Sequence, residues 1–368
     1  MNKPFIIIAS IFVGILMLNM FKAIASLAIR FNSTLYILII LLFVVILFSI
    51  VITISKSFKK YSKRKILLEN IPQDFENIYK QLYDNNIYKL ENIRKKVRLL
   101  TILQSIALVG VFIGNMNINP GFSLLMMVAA IGLIFISSKY TNKYKKIYKE
   151  EVVGNFIKLV NSQLEYKPTS TEFDFMEEDY KRANFDYTWF NRFYPDDYIE
   201  GFLDDEVFVK MGNLHIQKHT GSGKNSRTEE LFNGIFAHMS CGKNIGTYIK
   251  ISKNQLKMFG QRDRVEMDSQ EFEKYFDIYS ENKILTMQIL TSDVMAILVD
   301  FYNKYDIDYE IVIKDNRIYI RFFTGAMFEP KIFGNSMDKK LLFSYYCILK
   351  FIVDVTKEVN KALRDVEI

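Results

Sequence analysis

The segment Gly221-Ser222-Gly223-Lys224-Asn225-Ser226 has the glycine and lysine content of a phosphate-cradling loop. Such a loop needs a glycine five residues before the Gly-Lys pair and Ser or Thr directly after the lysine, so that backbone amides and a hydroxyl surround phosphate and Mg²⁺. Lys218 and Asn225 stand in those places, and strand-like sequence flanks both sides. The pattern favours a flexible loop. His215 with His219, and His238 with Cys241, offer nitrogen and sulfur at metal-ligand spacings. A zinc site requires a closed tetrahedral set with supporting partners, and a four-residue step along a strand does not supply the helical face that a His pair needs. The acidic pairs Glu177-Glu178, Asp196-Asp197 and Asp204-Asp205 could do acid/base work, but sequence neighbours seldom converge on one substrate. They read as solvated surface or turn caps. Nothing marks a nucleophile elbow. Phe185, Tyr187, Trp189, Phe190, Phe193 and Tyr194 form an aromatic cluster that serves either as a binding platform or as core. No cofactor or metal is called for.

These residues lie in the acidic part of a divided chain. Residues 1–150 carry 20 Lys/Arg and 6 Asp/Glu, net +14, whereas residues 151–368 carry 28 and 35, net −7, which together give the overall +7. Binding to a phosphate backbone needs a basic face, so nucleic acid is not an expected partner. The basic residues of the first part suit anionic lipid headgroups. Two cysteines, Cys241 and Cys347, are too few for a disulfide framework and fit a reducing compartment.

Residues 34–54 are uncharged over 21 positions, about the 30 Å of a bilayer core at 1.5 Å per residue. A second apolar run covers residues 4–21, with a secretory signal peptide as its rival reading because Ala23-Ile24-Ala25 resembles a cleavage site. Residues 99–116 and 122–138 read as a third and fourth span, turned at Pro120-Gly121. Lys56, Lys59, Lys60, Lys63, Arg64 and Lys65 follow the 34–54 span, Arg94, Lys95, Lys96 and Arg98 precede the third, and Lys139, Lys143, Lys145, Lys146 and Lys149 follow the fourth. The positive-inside rule places all three groups, and both termini, in the cytoplasm of a multi-pass inner-membrane protein. The group from Lys56 to Lys65 is also a candidate membrane-surface contact. The spans contain no ionisable residue, which favours an anchor over a transport path. Between them, Asp74 caps an amphipathic helix interrupted at Asp84-Asn85-Asn86.

From residue 151 the pattern is globular. A helix is expected over 151–164, and a Tyr- and Phe-rich segment over 180–202. Strands are expected over 207–217, 232–239, 246–252, 276–280 and 284–290. A helix over 292–305, a hairpin of 309–313 and 317–323, and a long helix over 338–364 complete it. The predicted fold is therefore an α-helical membrane module of four transmembrane helices plus an α+β cytoplasmic domain with a mainly antiparallel sheet. Its parts are two spans (1–56), a basic amphipathic linker (57–98), a membrane hairpin (99–140) and the cytoplasmic domain (141–368).

Several short segments recur in one order. Leu90-Glu91-Asn92-Ile93-Arg94-Lys95-Lys96 leads into the hairpin, and residues 152–166 read VVGNFIKLVNSQLEY. Asp197-Tyr198-Ile199-Glu200-Gly201, Phe232-Asn233-Gly234-Ile235-Phe236 and the run 272–279 follow. Ile289-Leu290-Thr291, Ile318-Tyr319-Ile320 and Phe328-Glu329-Pro330 come last. In this order, over about residues 66–368, the chain resembles the bacterial membrane-protein family known as domain of unknown function 3137. The first two spans are an addition to that pattern. Ser292 stands where such proteins commonly have a proline, and the first strand lacks an acidic residue near its end. The resemblance implies a membrane hairpin with a cytosolic α+β domain, no catalytic residues, and a LemA-like membrane protein as a partner, with a homo-oligomer as the other option. The function expected is a membrane-anchored interaction, sensory or scaffold domain. The alternatives are a membrane-tethered hydrolase or transferase and an oligomeric membrane-perturbing protein.

Overall fold

The computed structural model describes residues 71–113, 120–168, 173–186, 189–203, 207–254, 263–305 and 307–366. The expected spans 4–21 and 34–54, the group from Lys56 to Lys65, Tyr187, and the pair Asp204-Asp205 lie outside the described residues.

The described chain opens with α1 (Gln73–Ile113) and α2 (Pro120–Ile147), which runs through a π-helical turn (Tyr148–Val153) into α3 (Gly154–Val160). Then come β1 (Leu164–Lys167), α4 (Phe173–Ala183), β2 (Arg192–Phe202), β3 (Phe208–Thr220), β4 (Arg227–Ser240), β5 (Tyr248–Lys253), β6 (Arg264–Val265) and α5 (Gln270–Tyr275). The chain ends with β7 (Phe276–Ser280), α6 (Lys283–Ile289), α7 (Ser292–Tyr305), β8 (Tyr309–Lys314), β9 (Arg317–Phe322) and α8 (Lys339–Asp365). The nine strands form one sheet in the order β1-β2-β3-β4-β9-β8-β5-β7-β6, antiparallel at every pairing. This is an α+β fold.

Strand alternation divides the sheet between two cores. Ile235, Ala237, Ile311, Ile313, Ile318 and Ile320 join one side, which α3, α7, α8 and the first turns of α1 cover. Phe236, Val312 and Tyr319, their neighbours in sequence, join the other, which α4 covers through Met176, Tyr180 and Ala183. Asp338 caps α8 by accepting from the backbone N–H of Lys340 and Leu341, and α8 buries Leu342, Ile348, Ile352, Val355 and Val359 at helical spacing.

The four-helix membrane module is not what the structure shows. Among the described residues, one helical run, Gly121–Val160, is long and apolar enough to cross a membrane by itself. The expected third span is the end of the 41-residue α1. Its described part after Arg98 is residues 99–113. The polar turns before it are committed elsewhere: Phe75, Leu82, Leu90 and Val97 enter the sheet's core, and the helix passes Asp84-Asn85-Asn86 without a break. Two other expectations change. Residues 284–290 form a helix, because Asn282 caps it by accepting from the Leu285 N–H; residues 151–164 divide into a π turn, α3 and the edge strand β1.

The chain separates into two compact units, residues 1–63 with 104–132, and residues 64–103 with 133–368. In the first, the ends of α1 and α2 meet through small residues. Ala107 and Ala130 are buried, Ser123 donates to the Val111 carbonyl (3.4 Å), and a Cβ on Gly110 would strike Met126. Ile106, Val109, Leu124, Leu125, Val128 and Ile131 are exposed. Small residues at a helix contact let the two backbones approach closely.

Candidate functional site

The face under α4 carries a cleft. Tyr180 of α4 sits over β4, its ring 5.7 Å from Phe232 and 5.3 Å from Phe236, and also touches Phe185 and Phe190 in the segment that follows the helix. Asn184, at φ 52, turns the chain there; asparagine tolerates this left-handed conformation better than most residues. Beneath lies Arg321 of β9, 3 % exposed. Its guanidinium donates to Glu310 (2.9 and 2.6 Å) and to the Tyr180 hydroxyl (2.8 Å), and pairs with Asp186 (2.7 Å). It stacks over the Phe185 ring at 4.6 Å and the Phe323 ring at 5.1 Å. Burial acts against the Asp186 charge, but Arg321 and Lys250 outweigh it and hold the carboxyl below its ordinary value.

The resulting cleft has a volume of about 600 Å³, within the range of small-molecule sites. Its walls include Tyr180, Phe185, Trp189 and Phe190, with Asp186, Glu229 and Glu230 on the polar side. Glu229 and Glu230 flank a bulge: Ile216 pairs with Phe232 and Gln217 with Glu230, so Leu231 is the extra residue. Bulges of this kind re-aim side chains at sheet sites. Trp189 is 56 % exposed, with the Lys218 ammonium 4.8 Å from its ring.

On the same unit a buried knot of charge joins distant segments. Asp197 is 0 % exposed and held at φ 59 where the β2–β3 register breaks between Asp196 and Ile199. Lys149 of the π turn contacts both its oxygens (2.9 and 3.0 Å), Asn213 of β3 donates to it (3.0 Å), and the Tyr166 hydroxyl of β1 donates to it as well. Lys149 also reaches Asp196 (2.8 Å) and Glu329 (3.6 Å), and Glu329 follows Phe328, another non-glycine residue at positive φ (58). A π turn, a bulge and two left-handed side-chain-bearing residues on one ion cluster mark a place where the fold stores strain. Burial pushes the Asp197 carboxyl up to about 7, Lys149 opposes this and Asp196 adds to it. Burial likewise acts against the Lys149 charge, but the two aspartates prevail and raise its pKa.

The structure sorts the sequence candidates. Gly221 to Ser226 is the turn of the β3–β4 hairpin, with a short 3₁₀ turn at Gly223–Asn225 and positive φ at Gly221 and Gly223. His215 meets Glu230 (2.9 Å) and His219 meets Thr228 (2.8 Å). His238 faces Asp179, while the Cys241 thiol donates to the Lys243 carbonyl (3.4 Å), so the two residues do not share a partner. No metal-binding group of three or more His, Cys, Asp or Glu exists among the described residues. Glu177 pairs with Lys181 on the α4 surface. Of Asp196-Asp197, Asp196 keeps half its side chain in solvent but Asp197 is fully buried, which overturns the surface reading for that residue. Phe185, Trp189 and Phe190 line the cleft; Phe193 packs against the α4-side core, and Tyr194 is exposed near His215. Lys145 and Lys149, read as topology signals, are instead bound to Glu329 and to Asp196 and Asp197. Sequence reasoning missed Asp186, Glu229, Arg321 and Lys149, whose roles appear only once the strands are paired.

No curated protein matches the chain. Among solved structures, the mycobacterial trehalose monomycolate transport factor A, TtfA, aligns at 8 % identity over 61 % of this chain and 94 % of its own, with a TM-score of 0.31. Residues 230–361, from β4 into α8, match the model of the family described as Protein of unknown function (DUF3137).

Proposed function

We propose that this protein is a membrane-anchored interaction or sensory domain whose aromatic, acid-rimmed cleft under α4 receives a partner or small ligand. The observation that carries the reading is the cleft itself: about 600 Å³ walled by Tyr180, Phe185, Trp189 and Phe190 on the sheet, with Glu229 and Glu230 at its edge to orient a polar group. Aromatic walls with a few placed charges are the usual make-up of a recognition site. The anchor is the apolar first part of the run Gly121–Val160, before Lys139, and the apolar end of α1 packs beside it through the small-residue seam. Lys139, Lys143 and Lys146 then keep this end of the anchor cytoplasmic, as in an inner-membrane protein of multi-pass type.

The test is a photo-crosslinking amino acid at Trp189 in the full chain in native membranes, with Glu281, an exposed position on the loop after β7, as control. Selective capture at 189 of a second copy of this chain, a LemA-like membrane protein or a small molecule supports the reading. Equal labelling at both positions refutes it.

A further inference from the structure

A second cavity, of about 360 Å³, lies under α4 near the start of β3 and β9 and the end of β4. Arg182 reaches it from α4, Lys210 from β3, His238 from β4 and Arg317 from β9. Its acids are Glu178 and Asp179, so the ionised lining carries three positive charges against two negative. Asp179 is already engaged: Arg317 donates to it at 2.6 Å and Arg182 stands 3.7 Å away.

The imidazole of His238 is unsatisfied. Its side chain is 9 % exposed, and Nε2 lies 3.1 Å from an Asp179 oxygen yet makes no hydrogen bond. Buried polar atoms without partners are rare and call for an explanation such as a bound water, ion or ligand. Burial, then the charges of Arg317, Lys210 and Arg182, keep the ring neutral, lowering its pKa to about 4 against the pull of Asp179. A neutral imidazole can donate or accept, and the positive surroundings that disfavour its protonation favour an anion.

We propose that this cavity is a binding site for a small oxyanion, a phosphate group above all, held by Arg182, Lys210 and Arg317 and hydrogen-bonded to His238. Guanidinium forks match phosphate geometry, and the two arginines are held in place by Asp179. The site is separate from the aromatic cleft and stands whether or not the cleft binds anything.

The chain has three histidines, so the imidazole resonances of the full-length protein in neutral nanodiscs can be followed directly, and a His238→Gln variant assigns the signal. Titration with inorganic phosphate is expected to move the His238 resonance saturably, while His215 and His219 stay put and chloride at matched ionic strength has no such effect. Arg182→Gln and Lys210→Gln remove groups at the cavity's half-exposed rim and should each weaken binding about tenfold, the scale of one charge-assisted hydrogen bond. A phosphate response that is absent, non-saturating, reproduced by chloride or unchanged in both variants overturns the proposal. So does a response to nanodiscs of anionic phospholipid without one to free phosphate, which would make the pocket a lipid contact.

Discussion

Breaking the Asp197 knot from its two sides should give unequal results. In Lys149→Met, Asp197 keeps the Tyr166 and Asn213 hydrogen bonds but loses its cation, and Asp196 remains beside it. An uncompensated buried charge costs about 3–5 kcal/mol when its partner is removed. In Asp197→Asn the left-handed backbone is still allowed, because asparagine adopts it readily. Lys149 keeps Asp196 at 2.8 Å and Glu329 at 3.6 Å, so no buried charge is stranded. The expected loss is under about 2 kcal/mol, the scale of a buried hydrogen bond rearranged. The pH dependence follows from the same environment. The folded-state pKa of Asp197, about 7, lies above its unfolded value of 3.8. Its proton-linked contribution is thus fully present below about 4 and is lost as pH rises through 7. The Lys149→Met deficit should therefore shrink on acidification below neutrality, and Asp197→Asn should flatten the stability profile between those limits. Denaturant unfolding of the full chain in micelles, followed by circular dichroism at several pH values, measures both. Equal losses in the two variants, or a Lys149→Met deficit that grows on acidification, would refute the reasoning.

Gly234→Ala should be among the most damaging single-methyl changes in the sheet. A Cβ there would lie 1.9 Å from the Phe322 carbonyl oxygen and 2.9 Å from the Thr324 nitrogen, both backbone atoms, so about 3 kcal/mol of overpacking is expected in the same unfolding assay; a change under about 1 kcal/mol would contradict the close crossing. Leu125→Lys on the exposed face of α2 should cost about 3 kcal/mol of insertion free energy if that face meets lipid. Alkaline extraction of membranes tests this, and full retention of the variant would count against the anchor.

Periodicity was readable wherever one face of an element is buried. The pattern of α8, the strand 276–280 and the β8–β9 hairpin all follow from the spacing of apolar residues. Residues 284–290 were misleading, since a short apolar run suits either element; the discriminating sign was Asn282 at the cap position. β2 escaped because Pro195 and the break after Asp196 spoil its alternation. The same break explains why adjacent aspartates differ so much in burial: the left-handed residue sends Asp197 inward while Asp196 stays half in solvent. Lys149, Asp197 and Glu329 are separated by long stretches of sequence, and they meet only where the π turn, β2 and the segment after β9 come together in the fold.

The segments that carry the family resemblance turn out to do mainly structural work. Gly201, at φ 144, passes so close to the Gln163 carbonyl that a Cβ would lie 2.1 Å away; Gly234 lets β4 cross the end of β9; Asp197, Tyr166 and Glu329 build the knot. A resemblance resting on such residues reports a shared backbone. The cleft draws on other segments: Asp186, Trp189 and Phe190 lie before the matched residues 230–361, as does Glu229. Two proteins could therefore keep the knot and both glycines, and so the fold, while differing at every ring and carboxylate that meets a ligand. Under the proposed function the choice of ligand rests with the cleft's own residues, and replacing the exposed Trp189 with alanine should alter binding while leaving the unfolding free energy within about 1 kcal/mol.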